Sequence, residues 1–127
     1  VGLAVERHHV QELAKAGFDG VYTYFATNGF TFGSTWSNWA GIRQETARAD
    51  MLFIPSVGPG YDDLKIRPWN RVNVRDRESG HYYARSWSAA TAASPDYVSI
   101  TSFNEWHEGT QIEPSAPHTG FPDFGAR

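Results

Sequence analysis

The chain has 127 residues, a formal net charge of −3 at pH 7 and no cysteine. A hydrophobic content of 40% with 15% aromatic residues indicates a packed domain rather than a disordered chain. A negative chain without a basic run argues against nucleic acid or an anionic membrane as a partner, and the lack of cysteine excludes disulfides and thiolate zinc sites. No apolar run approaches the roughly 18 residues of a membrane span, so we expect no direct membrane contact in this segment.

Helices and strands are predicted to alternate along the chain. Apolar residues at near-helical spacing predict helices at residues 3–16, 37–50 and 80–93, of which the first is ended by glycine and the third by Ser-Pro. Ser37 is the predicted cap of the second helix. The predicted inner faces are Trp39, Ile42, Thr46 and Ala49 in the second helix and Tyr83, Trp87 and Ala90 in the third. Runs rich in β-branched, aromatic and other apolar residues predict strands at residues 21–26, 51–57 and 97–103. Each strand follows a short turn and is followed by a longer, polar segment, and residues 121–127 are predicted to be a loop-like tail.

This alternation predicts an α/β fold with a parallel sheet covered by helices. In a (β/α)8 TIM barrel every active-site loop follows the carboxyl end of a strand, and a whole barrel takes roughly 250 residues. We therefore interpret the chain as a fragment of such a barrel, with about three βα units. The alternative is a doubly wound open sheet, but its glycine-rich phosphate turn before a helix is absent from the sequence.

The longest predicted loop follows the second strand and begins with Gly-Pro-Gly at residues 58–60. Loops of about 20 residues inside compact domains are usually functional or disordered, which favours a binding loop over an ordinary connection here. The loop combines aromatic, planar and hydrogen-bonding side chains, namely Tyr61, Arg67, Trp69 and Asn70.

The third strand ends in a cluster of Asn104, Glu105, Trp106, His107 and Glu108. Two carboxylates three positions apart repel each other, which raises the pKa of one of them. A reaction that needs one protonated and one ionised carboxyl group requires such a pair. The alternative interpretation is a solvated acidic loop.

Aromatic side chains, hydrogen-bonding groups and two glutamates together indicate a carbohydrate site. Cleavage of a glycosidic bond takes one carboxylic acid to protonate the leaving oxygen and a second carboxylate at the anomeric side. Glu105 and Glu108 are residues of the right type for these two tasks. Their spacing does not show which residue has which role, or whether the configuration is retained. His107 stands beside Glu108 without the helical His-Glu-x-x-His pattern, so we expect no metal and no cofactor. His8 and His9, on the first predicted helix, are expected to be simply solvated.

The segment at residues 102–113, Ser-Phe-Asn-Glu-Trp-His-Glu-Gly-Thr-Gln-Ile-Glu, resembles the catalytic segment of glycoside hydrolase family 99, the endo-α-mannosidases. The segments at residues 19–30 and 55–70 resemble the same family in the same order. The resemblance covers residues 1 to about 116 and departs from the family pattern after Pro117. It implies that residues 1–127 form the C-terminal part of the barrel domain, and we expect the isolated 127 residues to be inactive.

The resemblance implies retaining, metal-free hydrolysis of an internal α-1,2-mannosidic bond in an N-glycan or mannan, through a 1,2-anhydro sugar. Glu108 resembles the general acid/base, Glu105 the base that deprotonates the 2-hydroxyl of the sugar, and Tyr24 a tyrosine at the reacting subsite. The residues expected to bind the mannose-containing oligosaccharide are Arg67, Trp69, Asn70, Tyr61, Asn104, Trp106 and His107.

The resemblance also bears on cellular location. It implies N-glycan processing in the Golgi lumen by a type II membrane parent if the source is eukaryotic, and a secreted or periplasmic enzyme if it is bacterial. Two alternatives stay open: a related family-99-like domain of polysaccharide biosynthesis, and a non-catalytic carbohydrate-binding protein. His107 with the following Gly-Thr-Gln run favours the hydrolase, and a binding module would need neither glutamate.

Overall fold

The computed structural model describes residues 1–114, so the predicted tail and the departure after Pro117 lie outside the described residues. The strands are short, and they are β1 (Gly2–Leu3), β2 (Gly20–Tyr22), β3 (Leu52–Ile54), β4 (Ser56–Val57) and β5 (Ser99–Ile100). The α-helices are α1 (His9–Lys15), α2 (Trp39–Arg48) and α3 (His81–Ala92). Short 3-10 helices lie at Trp36–Asn38, Arg71–Asn73 and Glu78–Gly80. The α/β class is confirmed.

The strands pair in parallel, in the order β1-β2-β3 in one sheet and β4-β5 in the other. Only Pro55 separates β3 from β4, and its carbonyl accepts a hydrogen bond from the Ser99 amide at 3.0 Å. Residues 52–57 therefore pair with β2 through their first half and with β5 through their second half. Neighbouring strands follow each other in chain order within residues 1–114, which favours consecutive βα units over the order reversal of a doubly wound sheet.

The prediction of a helix from residue 3 is wrong. Gly2 and Leu3 form β1, which pairs with Val21 and Tyr22 of β2, and α1 begins only at His9. The His9 imidazole explains the late start, because its Nδ1 accepts hydrogen bonds from the Val5 and Glu6 amides at 3.1 and 3.2 Å. Leu3 matched the helical spacing by coincidence. The strand itself was not predicted, because two residues are too few to show the alternation of apolar and polar residues that marks a strand.

The predicted inner faces of the other two helices are correct in part. Trp39, Ile42 and Thr46 of α2 are fully buried, as predicted, whereas Ala49 is exposed beyond the helix end. Ser37 does not cap α2, because residues 36–38 form a 3-10 turn ahead of it. In α3 the deepest residues are Tyr82, Ser86 and Ala90, so the prediction is right for Ala90, whereas the predicted Tyr83 and Trp87 are partly buried.

The helices cover the sheet in chain order. Helix α1 packs against β2, α2 against β3 and α3 against β4, and each helix contacts the next. The core between these layers contains large apolar side chains with no exposed surface, among them Trp39, Phe53, Val21 and Val57. The Trp39 indole also donates a hydrogen bond to the Gly33 carbonyl at 2.7 Å, which ties the helix layer to the loop after β2. None of the helices within residues 1–114 has the length and apolarity that a bilayer span requires.

Two glycines provide a matched test of this packing in the full-length protein. A Cβ atom at Gly33 would lie 1.9 Å from the Ala4 carbonyl oxygen, whereas one at Gly41, within α2, would meet nothing within 4 Å. We expect Gly33→Ala to lower the free energy of unfolding by about 1–3 kcal/mol through overpacking. We expect Gly41→Ala to raise it by about 0.5–1 kcal/mol, because alanine loses less backbone entropy in a helix. Urea unfolding checks both, and equal effects would contradict the close approach of β1 to this loop.

Candidate active site

The carboxyl ends of three neighbouring strands converge on one cavity of about 300 Å³. Tyr24 follows β2, the loop of residues 58–80 follows β4, and Thr101 begins the acidic segment after β5. Of the residues predicted from the sequence, the cavity brings together Tyr24, Tyr61, Arg67, Trp69, Asn70 and Glu108. The other lining residues are Phe25, Ala26, Thr27, Phe30, Asn73 and Thr101.

Tyr24 has an unusual backbone that two neighbouring strands hold in place. Its φ of +58° lies in the left-handed region, which costs a side-chain-bearing residue roughly 1–2 kcal/mol. The Tyr24 amide donates to Ser56 Oγ at 2.7 Å, and its carbonyl accepts from the Thr101 hydroxyl. This turn ends β2 at Tyr22, four residues before the predicted end. Burial, and then the charges of Glu108 and Glu105, raise the pKa of the Tyr24 hydroxyl.

A buried carboxylate organises the loop of residues 58–80. Asp63 has no exposed surface and accepts hydrogen bonds from the Tyr61 hydroxyl at 2.9 Å, from Arg67 Nη1 at 3.0 Å and from Asn70 Nδ2 at 3.0 Å to each oxygen. Burial opposes its charge, but these hydrogen bonds outweigh burial and hold the pKa of Asp63 below its ordinary value. Three of the predicted substrate-binding residues are thus held by one ionised group.

Glu108 contacts the same nitrogen of Arg67 that Asp63 contacts, with its Oε1 at 3.5 Å from Nη1. Burial, and then the negative charge of Glu105, raise the pKa of Glu108, while Arg67 opposes this rise and Asp63 adds to it. A glutamate with a raised pKa retains a proton closer to neutral pH, which is the property that a general acid needs.

The same loop fixes the acidic segment through its backbone. The Asp62 amide donates to the Glu108 carbonyl at 2.9 Å. The Arg77 guanidinium donates through Nη2 to the Gly109 and Gln111 carbonyls at 3.0 and 2.6 Å. These bonds hold the backbone at Glu108 and on its C-terminal side, which restricts where its carboxyl group can lie relative to Arg67.

The remaining predicted residues, Asn104, Glu105, Trp106 and His107, are not among the lining residues of the cavity. Glu105 Oε1 accepts from the His107 amide at 3.2 Å, and its charge acts on both Tyr24 and Glu108. The Trp106 indole donates to Glu113 Oε2 at 3.0 Å, which ties it to the acidic segment itself. Asn104 and His107 are exposed.

Sequence reasoning missed Asp63, Thr27, Phe30 and Asn73. Asp63 had a detectable signal, because an aspartate four residues before an arginine is a common spacing for an ion pair within one turn. The Phe30 ring meets the Phe25 ring at 5.0 Å between centroids and extends the aromatic wall beyond Tyr24. Nothing in the sequence distinguished Phe30 from a loop residue, since its approach depends on the conformation of residues 27–35.

A separate group of possible metal ligands lies at the start of α1. His8, His9 and Glu12 offer ligand atoms within 4.8 Å of one another. The Nδ1 atom of His9 already accepts two backbone hydrogen bonds, and His8 and Glu12 are exposed. The prediction that His8 and His9 are simply solvated is therefore right for His8 and wrong for His9, which is partly buried. None of the three lines the cavity.

The family model of glycosyl hydrolase family 99 matches residues 1–123. The chain belongs to this family, and the match extends beyond the limit of about residue 116 that was predicted from the motifs. Rat glycoprotein endo-alpha-1,2-mannosidase is 55% identical over 117 residues, which are 92% of this chain and 25% of that protein. The mouse glycoprotein endo-alpha-1,2-mannosidase-like protein is 54% identical over 119 residues, 94% of this chain and 26% of that protein. The chain thus spans about a quarter of the length of these curated relatives.

A solved structure agrees with this assignment. The family 99 endo-alpha-mannosidase from Bacteroides thetaiotaomicron superposes with a TM-score of 0.90 at 49% identity, over 98% of this chain and 36% of that chain. At this identity the likeness extends to the α/β architecture and to the order of its elements.

Substitutions at Ser56 and Ser99 distinguish the hydrogen bond that supports the Tyr24 backbone from the general packing of the strands. Ser56 Oγ accepts the Tyr24 amide hydrogen and also shares a hydrogen bond of 2.6 Å with Ser99 Oγ. In the full-length protein we expect Ser56→Ala to cost about 1–3 kcal/mol of unfolding free energy, because it leaves the Tyr24 amide without this acceptor. Ser99→Ala, which keeps that bond, should cost less. Urea unfolding measures the difference, and equal losses would show that Ser56 does not support Tyr24 specifically.

Proposed function

We propose that this chain is the C-terminal part of the (β/α)8-barrel catalytic domain of a retaining endo-acting α-mannosidase. Its reaction is hydrolysis of an internal α-1,2-mannosidic bond in an N-glycan or mannan. The parallel strands in chain order support the barrel, because consecutive βα units with all site loops at the carboxyl ends are its repeating pattern. The names of the relatives, endo-alpha-1,2-mannosidases and a bacterial endo-alpha-mannosidase, support the bond and the sugar.

The observation that carries the proposal is the environment of Glu108. Burial and the charge of Glu105 raise its pKa, and it opens into a cavity that also contains Tyr24 and Arg67. A protonated carboxyl group beside a second carboxylate is the pair that glycosidic cleavage requires. A purely binding site gains nothing from two mutually repelling glutamates.

The cavity walls fit a neutral oligosaccharide. Trp69 is 79% exposed and Phe30 is 46% exposed, and both line the cavity, so each offers a ring face to the C–H surface of a sugar. Arg67 and Asn70 supply hydrogen-bond donors to hydroxyl groups. A mannose-containing oligosaccharide presents both kinds of surface.

The proposed reaction has two steps. Glu105 removes the proton of the sugar 2-hydroxyl, the 2-oxygen attacks the anomeric carbon, and Glu108 donates its proton to the departing glycosidic oxygen. Glu108 then removes a proton from water as the water attacks the anomeric carbon and opens the 1,2-anhydro ring, and Glu105 returns its proton to the 2-oxygen. Two inversions give net retention. Tyr24 lies at the reacting subsite.

We further propose that the enzyme acts in the Golgi lumen on N-glycans if its source is eukaryotic, and as a secreted or periplasmic enzyme if it is bacterial. Eukaryotic and bacterial relatives at about 50% identity support both settings.

Substitution of the two glutamates in the full-length enzyme separates catalysis from binding. We expect Glu105→Gln and Glu108→Gln to bind a mannose-containing oligosaccharide by calorimetry while hydrolysing it far more slowly. For Glu108→Gln the loss should be about 10²–10⁴-fold with a poor leaving group, and an activated aryl leaving group should recover part of it, because that group needs no proton. Equal losses for both leaving groups would contradict the acid role, and a wild type that binds without turnover would identify a binding protein.

The role of Glu105 is tested with substrates altered at the 2-position of the cleaved residue. If Glu105 acts on the 2-hydroxyl, replacement of this group by hydrogen or fluorine should leave binding intact and abolish turnover. A glutamate that attacks carbon directly would instead be trapped by the 2-fluoro sugar as a covalent ester. Mass spectrometry of the incubated enzyme distinguishes the two, and a stable ester on Glu105 would refute the 1,2-anhydro route.

A further inference from the structure

Asp63 and Glu108 share one guanidinium. Arg67 Nη1 lies 3.0 Å from Asp63 Oδ2 and 3.5 Å from Glu108 Oε1. The two carboxyl groups differ in surroundings: Asp63 has no exposed surface and accepts hydrogen bonds from three side chains, whereas Glu108 is partly exposed in the cavity. Arg67 therefore interacts more strongly with Asp63, to which its contact is shorter, than with Glu108.

This sharing matters because Glu108 has to begin the reaction as an acid. An arginine paired with a single glutamate at hydrogen-bond distance favours the carboxylate strongly and would remove the acid. Asp63 offsets much of that charge while it keeps Arg67 in the cavity wall. The Tyr61 hydroxyl and the Asn70 amide also donate hydrogen bonds to Asp63. These bonds favour the ionised form of its carboxyl group and fix its position.

We propose that Asp63 is a positioning residue for the acid/base: it anchors Arg67 next to Glu108 and offsets the arginine charge, so that Glu108 keeps its proton to a higher pH than it would beside an unshared arginine. The proposal rests on the general acid/base role proposed for Glu108. Its basis is the geometry of the three charged groups and the complete burial of Asp63.

The charged and titratable groups around Glu108 come from all three strand ends. Glu105 acts from its own segment, Arg67 and Asp63 act from the loop after β4, and the hydroxyls of Tyr24 and Tyr61 face it from β2 and from that loop. Glu105 and Asp63 raise the pKa of Glu108, and Arg67 lowers it. Loss of the Asp63 charge should therefore lower the pKa of Glu108.

The test compares Asp63→Asn with Asp62→Asn in the full-length enzyme. Both variants remove one negative charge from the same turn, but the Asp62 side chain accepts from the Leu64 amide, whereas the ion pairs of Arg67 within residues 1–114 are with Asp63 and Glu108. Glu108 acts as an acid, so the alkaline limb of the kcat/KM profile marks the loss of its proton. We expect Asp63→Asn to move this limb down by about 1 pH unit. Asp62→Asn should leave it in place, and Asp63→Glu, which restores the charge, should return it most of the way.

A second readout does not depend on turnover. The carbon-13 resonance of the Glu108 carboxyl group, assigned by its absence in Glu108→Gln, should titrate about 1 unit lower in Asp63→Asn than in the wild type. An unchanged midpoint would overturn the inference even if the enzyme is active. An inactive wild type with the expected titration shift would instead refute the proposed function and keep the charge coupling.

Should Asp63→Asn fail to fold by circular dichroism, Arg67→Gln and Asp63→Glu carry the test. Arg67→Gln removes the charge that Asp63 offsets, so the Glu108 midpoint should rise. Asp63→Glu should hold the midpoint near the wild-type value. A fall in Arg67→Gln, or a shift in Asp63→Glu as large as that in Arg67→Gln, would contradict the proposed sharing.

Discussion

The hydroxyl of Ser56 links three strands at the point where the sheet becomes the site. It accepts the Tyr24 amide hydrogen at the end of β2, belongs to β4 itself and bonds to Ser99 of β5. The Ser56 amide in turn donates to the Thr23 hydroxyl at 2.8 Å. These groups are largely shielded from water, so a buried polar group that lost its hydrogen bond would pay a desolvation cost. All of these hydrogen bonds can form together in only one register of the strands. The left-handed backbone of Tyr24, and hence the direction of its ring, depends on that register.

The loop of residues 58–80 is held mainly by electrostatic interactions around the buried Asp63. Burial of a carboxylate costs several kcal/mol unless donors and a countercharge compensate, and Asp63 has three donors, one of them a guanidinium. That compensation helps to fix the loop of residues 58–80, whose regular structure is limited to short 3-10 helices and one antiparallel bridge between Tyr61 and Arg75. Polar contacts rather than an apolar core therefore determine the shape of this loop, and they place Arg67 where it meets Glu108.

The sequence predicted the alternation of elements and the convergence of strand ends, because each rests on a local pattern. Buried Trp39 and Ile42 follow from helical spacing, and Tyr24, Arg67 and Glu108 meet because parallel strands deliver their carboxyl ends to one edge. The exact strand lengths did not follow. Tyr24 leaves the β conformation although tyrosine favours strands, since two hydrogen bonds from residues 32 and 77 positions away override its propensity.

The central role of Asp63 was the larger omission, and its cause is physical. A lone aspartate in a polar loop is ordinarily solvated, and only the folded loop, with Tyr61 and Asn70 brought onto one carboxylate, turns it into a buried countercharge. The two glutamates were visible as a pair, but the pKa of Glu108 also responds to Asp63, a third carboxylate more than 40 positions away. The segment at residues 102–113 therefore contains the two carboxylates of the proposed reaction, whereas the loop after β4 holds the charged groups on which the proposed acid role of Glu108 depends.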